Sequence, residues 1–301
     1  MDSKDFQLLV ALDDNARQSY ESLGRQVSLS APAVRDRLER LQMKGVLQGF
    51  NLMINPSVFG RLGIVLFFRG NFQRKTALAA LAAPDVSWVR LKLDGQMIVG
   101  LWTKDEDKST NYLTNILERK PAEQILTPHK KSTPVSIIDL SIMDALVDEP
   151  KLSIGELIKY TRFSPKTVRK HLNLLLETKT ISVVPALGTL ADSGELIYPL
   201  VVTGKVRMNE IRRIMGEAAL LRNIQEPPMK YVLCRENSLA DMITNTRALE
   251  NVQGVESVTI SLNREVLVST HLRHSLIREE IRKLKKNQMN YTAPIEVPYK
   301  G

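Results

Sequence analysis

Phe6, Leu9 and Val10 form an apolar stripe at helical spacing, and Leu23 and Val27 form a second behind Ser19, a residue suited to capping a helix start. Ser28-Leu29-Ser30 then interrupts the pattern, and Ser30 offers another cap. Pro32 is tolerated in the first turn that follows, where its missing N–H has no helical partner to lose, and Val34, Leu38 and Leu41 recur at i, i+4 and i+7. The pattern predicts three short helices around one core. Lys44-Gly45 ends the third, and residues 46–54 are expected to form a short hairpin, a wing, turning near Gln48-Gly49.

Past residue 60 the period shifts from helical to alternating. Strands are expected at 62–70, 86–93, 97–103 and 123–127 and helices at 75–82 and 109–117, with Asp94-Gly95 as the turn between the second and third strands. That order is βαββαβ.

The same text is then repeated. Residues 5–72 align without a gap onto residues 139–206, an offset of 134, with identities that include Asp5/Asp139, Leu12/Leu146, Ser19/Ser153, Leu23/Leu157, Ser30/Ser164, Val34/Val168, Leu38/Leu172, Leu41/Leu175 and Gly70/Gly204. Because the matches fall on caps, core positions and turns, the chain is read as a duplicated unit. The second copy is looser after its helical part: a strand at 196–202, a helix at 209–219, a strand at 230–235, a helix at 239–248, and strands at 255–262 and 266–270. Register is lost around Pro227-Pro228, and an amphipathic basic helix at 275–286 has no counterpart in the first copy. The expected class is α+β, with helical domains at 1–58 and 134–192 alternating with βαββαβ domains at 59–133 and 193–301, and a linker at 128–134 that contains His129-Lys130-Lys131.

Composition narrows the chemistry. The 43% hydrophobic content across 301 residues suits ordinary folded domains, and the apolar run at 62–68 is far shorter than the ~18 residues a membrane helix needs. The first residues lead straight into a helical pattern with no secretory signal, and the single Cys234 allows no internal disulfide, so a cytoplasmic protein without membrane association is expected. Four scattered histidines (His129, His171, His271, His274) make no metal motif. Neither a phosphate-cradling glycine loop nor a nucleophile elbow is present, so no cofactor and no enzymatic activity are expected. The net charge of +9 favours a polyanionic partner, although charge alone identifies none.

Leu29-Ser30 through Val34, Arg37, Leu38, Arg40 and Leu41, followed by Lys44-Gly45-Val46, Gly49-Phe50, Asn55-Pro56 and Gly60, resemble the helix-turn-helix, wing and interdomain strand of Lrp/AsnC regulators. Residues 163–172, with Ser164, Lys166, Thr167, Val168 and Leu172, resemble the same recognition segment. The resemblance implies a tandem, two-unit form: winged helix-turn-helix domains alternating with ferredoxin-like, RAM-type domains that serve in oligomerisation and effector binding. It also implies a DNA-binding transcription regulator that reads the major groove of double-stranded DNA. The two copies are expected to pair as a pseudo-dimer within one chain, which then forms a homodimer or larger assembly. A small-molecule effector is implied too; after Gly95, however, Gln96-Met97 stands where the family's turn carries an acidic residue and then Tyr-Asp, a departure that tells against amino-acid sensing.

On this reading Ser30, Pro32, Ala33 and Arg37 in the first copy, and Ser164, Lys166, Thr167, Lys170 and His171 in the second, are the candidates for groove contact. Arg40 and Lys44 suit phosphates, and Arg35 and Arg169, at the edge of the buried stripe, suit packing or a phosphate. Asp36 opposes phosphates, and Leu174, in the place of Arg40, suggests that the second helix is partly covered. Two alternatives stay open. Sirohaem decarboxylases are also similar to Lrp/AsnC proteins, and His271, Arg273 and His274 form the local His/Arg cluster, expected here as solvated surface. The other is an interaction module that keeps the helix-turn-helix shape without DNA.

Overall fold

The computed structural model describes residues 1–127, 133–188, 196–224 and 228–292. The expected linker at 128–134, with His129, lies largely outside the described residues. The first copy opens with α1 (Ser3–Asp14), α2 (Tyr20–Val27) and α3 (Ala31–Met43), each started by a side-chain cap from Asp2, Ser19 and Ser30. Then come β1 (Leu47–Ile54), a 3-10 turn (Pro56–Phe59), β2 (Leu62–Phe68), α4 (Arg74–Leu81), β3 (Val86–Lys92), β4 (Met97–Thr103), α5 (Glu106–Leu117) and β5 (Glu123–Thr127). The second copy runs α6 (Ile137–Asp148), α7 (Ile154–Thr161), α8 (Pro165–Glu177), β6 (Ile181–Leu187), β7 (Leu196–Gly204), α9 (Met208–Met215), β8 (Ala218–Ile224), β9 (Met229–Glu236), α10 (Leu239–Glu250), β10 (Val255–Ile260), β11 (Asn263–Val268) and α11 (Thr270–Thr292).

The expected hairpin at 46–54 is instead one strand. β1 pairs antiparallel with β6 of the other copy in a two-stranded ribbon. Its register carries the duplication: Phe50 faces Pro185 and Asn51 faces Val184, so each residue lies opposite the repeat-equivalent of its neighbour. A local pseudo-twofold axis therefore passes between these pairs. Both copies supply the same strand to one interface, as an isologous contact requires. Strands that would be exposed edges in one copy satisfy each other's backbone groups in the pair.

Each copy also has a four-stranded antiparallel sheet of the same plan. The first is ordered β3-β4-β2-β5 and the second β8-β9-β7-β10, so in both the last strand returns beside the first, the ferredoxin-like arrangement. Two expectations for the second copy change. The helix expected to run to residue 219 stops at Met215, where Gly216 takes φ +64, and residues 218–224 form a strand that was not expected. The final strand, β11, does not stay with its own copy; it adds to β3 at the edge of the first sheet.

The sheets meet through Arg90, whose guanidinium lies 4.8 Å over the Trp88 ring and 5.8 Å over Tyr231 of the second sheet. Trp88 can lie against its own sheet only because Gly100 is beneath it: a Cβ there would come within 2.1 Å of the indole. Both helical trios share one core with α11, whose Leu276 and Ile277 are buried, while the helix-covered sides of the two sheets form separate cores.

Candidate nucleic-acid interface

α3 and α8 are built alike. Val34, Leu38 and Leu41 are buried on one and Val168, Leu172 and Leu175 on the other, as their spacing demands. Ser30 accepts from the Ala33 amide at 3.3 Å, and Ser164 accepts from the Thr167 amide at 3.2 Å with a further 2.8 Å bond between the two hydroxyls. The caps fix where each helix begins and leave both serines exposed at its entrance. Pro32, Arg35, Asp36 and Arg40 of α3 are exposed, as are Lys166, Arg169, Lys170 and Leu174 of α8; Ala33 and Thr167 are half-buried. Lys44, just past α3, is exposed as well.

Two candidates expected on the outer face turn inward. Arg37 binds Asp2 at 2.7 Å and Asp5 at 2.8 Å, with its side chain only 20% exposed. These bonds hold the guanidinium more firmly protonated than an ordinary arginine. At the same repeat position His171 places Nδ1 2.7 Å from Asp139 Oδ1, and Asp139 is the repeat-equivalent of Asp5. In each copy, therefore, a basic residue of the third helix is tethered to the acid that completes the first helix's capping box. The sequence contained a signal for this: the Asp5/Asp139 identity survives where surface residues have diverged.

Other charges divide unequally. Arg35 lies 3.6 Å from Asp36 and 3.7 Å from Glu39, so α3 supplies its own counter-charges. Lys166, Arg169 and Lys170 of α8 make no ion pair among the described residues, and neither do Arg40 and Lys44. Leu174 is 47% exposed, which corrects the expectation that α8 is covered there.

The cluster of His271, Arg273 and His274 is not solvated surface as a whole. Arg273 is 2% exposed, donates to the Leu52 carbonyl at 2.7 Å and lies 5.6 Å over the Trp102 ring. Burial pulls its pKa down to about 10. His274 is held between Asp144 (2.6 Å) and Asp148 (3.0 Å) of α6, while His271 remains exposed. Arg273 and His274 thus join α11 to the first copy's ribbon strand and to the second copy's helical trio. Periodicity could not show this, because the partners are more than a hundred residues distant in sequence.

Residues 1–42 match the model of the AsnC-type helix-turn-helix domain. The HTH-type transcriptional regulator Ptr1 of Methanocaldococcus jannaschii is 40% identical over 60 residues, which is 20% of this chain and 40% of that protein. The HTH-type transcriptional regulator LrpA of Pyrococcus horikoshii is 24% identical over 119 residues, 38% of this chain and 84% of the relative. Among solved structures, the siroheme decarboxylase NirDL aligns over 93% of this chain and 99% of its own, at 12% identity and a TM-score of 0.48. No helix among the described residues is long and apolar enough to cross a membrane.

Proposed function

We propose that this chain, related through its AsnC-type helix-turn-helix to the HTH-type transcriptional regulators, is itself a sequence-specific DNA-binding regulator. Its working units are 1–58, 59–133, 134–192 and 193–301, and it presents α3 and α8 to the major groove from one pseudo-dimeric frame. The observation that carries this reading is the pairing of buried leucine stripes with exposed, capped outer faces on two equivalent helices whose copies are joined by the β1–β6 ribbon. Ser30, Pro32, Ala33, Ser164, Lys166 and Thr167 stand at the entering ends, where base edges are read, and Arg35, Arg40, Lys44, Arg169 and Lys170 are placed for phosphates. Arg37 and His171 act through the tethers that set the pitch of each helix.

Since the two outer faces differ, the operator is asymmetric unless two chains assemble about a dyad. Selection of bound duplexes from a random pool, followed by footprinting, tests the reading. An enriched motif protected over about one or two turns of DNA is expected. Binding without sequence preference, or without salt dependence between about 50 and 200 mM, would overturn it.

A further inference from the structure

We infer that the second helix-turn-helix, which lies outside the matched residues 1–42, is the dominant DNA-contacting unit, and that the first is a weak, self-neutralised partner. This rests on the DNA-binding reading above and assigns unequal shares within it.

The repeat allows a position-by-position comparison on a common scaffold. Where α3 has Pro32, Asp36 and Glu39, α8 has Lys166, Lys170 and Asn173. The shared arginine behaves differently as a result: Arg35 lies against Asp36 and Glu39, whereas Arg169 has no carboxylate partner among the described residues. The turn before the helix follows the same trend, for the left-handed residue that ends α2 is Ser28 and the one that ends α7 is the exposed Arg162. The two exposed cations of α3 and its C-terminal end that lack an ion pair among the described residues, Arg40 and Lys44, sit at the far end of the helix, away from the turn that enters the groove first.

Charge decides the outcome because phosphate contacts dominate affinity. Each cation that neutralises a phosphate releases condensed counterions, whereas one already paired with a neighbouring carboxylate must give up that partner first. The carboxylate of Asp36 is itself repelled by the backbone that the equivalent Lys170 attracts.

The full chain is titrated against random duplex DNA over a series of salt concentrations. K166A/R169A/K170A should weaken binding at least about tenfold and flatten the salt slope by about 2 to 3. R35A/R40A should cost less than about threefold. D36K, which gives α3 the charge of α8, should strengthen binding and steepen the slope by about 1. All substituted side chains are exposed, and equal melting temperatures check that the variants fold. An equal or larger loss in R35A/R40A, or no gain in D36K, overturns the inference while leaving the DNA-binding reading intact. Absence of salt-dependent binding by the unsubstituted chain overturns that reading, and this inference with it.

Discussion

Arg17 and Lys151 occupy equivalent positions of the two copies and cross over each other's backbone. Arg17 donates to the carbonyls of Pro150 at 2.5 Å and Leu152 at 2.6 Å, and Lys151 donates back to the carbonyl of Ala16. Lys151 also lies 4.9 Å over the Phe50 ring, beside the pseudo-twofold axis. Burial lowers the pKa of both, and the charge of Arg17 adds to the effect on Lys151. Two like charges are tolerated here because each satisfies carbonyls of the opposite copy.

Arg17→Ala should therefore loosen the junction between the helical trios. Three half-buried carbonyl bonds depend on this crossing, and losing the two made by Arg17 should cost about 1–3 kcal/mol in urea unfolding. With the neighbouring charge gone, the Lys151 amine should titrate closer to its ordinary value of 10.5, an upward shift readable by NMR of labelled lysine. An unchanged Lys151 titration would mean that the two charges are independent.

Removing residues 263–301 should damage the first sheet, although every residue deleted belongs to the second copy. The deletion strips β11 from β3 and leaves an unpaired edge, and it removes the buried Leu276, Ile277 and Arg273 from the shared core. Two apolar side chains at about 1.5–3 kcal/mol each correspond to a fall in melting temperature of roughly 10 °C. Calorimetry and light scattering should show this fall together with new self-association. A truncated chain that melts with the full-length protein and stays monodisperse would refute the structural role given to β11 and α11.

Stability should decline in mild alkali. Tyr198 on β7 and Cys234 on β9 are strand partners, both fully buried, and burial pushes both groups above their ordinary values of 10.0 and 9.0. A raised folded-state pKa means that the unfolded chain ionises first, so this stabilisation is complete below pH 9.0 and is lost as the pH climbs past it. The thiol alone should account for about 1 kcal/mol between about pH 9 and about pH 10. The lowered values of Arg273 and Lys151 act in the opposite direction, that of Arg273 from about pH 10 upward, so the thiol is isolated by comparing the native chain with Cys234→Ala, which leaves both groups in place. Denaturant midpoints for Cys234→Ala should lose this slope, and in the native protein a thiol reagent should react with Cys234 only as fast as the second sheet opens.

What could be read from the sequence was local or repeated. Ser19, Ser30, Ser153 and Ser164 marked helix starts because a cap needs only an oxygen three residues before an amide, and the leucine stripes marked one face because a helix repeats every 3.6 residues. The strands of the first copy were legible for the same reason, as was the duplication. The hairpin expected at residues 46–54 does not form, because a strand's sequence does not say which strand will satisfy its backbone, and the partner begins at Ile181. At Arg37 and His171 the helical period alone put both on the outer face, and only the approach of α1 and α6 showed that Asp5 and Asp139 hold them.

The chain by itself thus determined its elements, its caps and its twofold repetition, all of which are set by neighbours a few residues apart. Tertiary structure decided which cations stay free and which are tethered, where β11 pairs, and how Arg273 comes to be buried. Those outcomes depend on groups that meet only once the copies have packed, and a charge's availability is fixed by the partner it finds there.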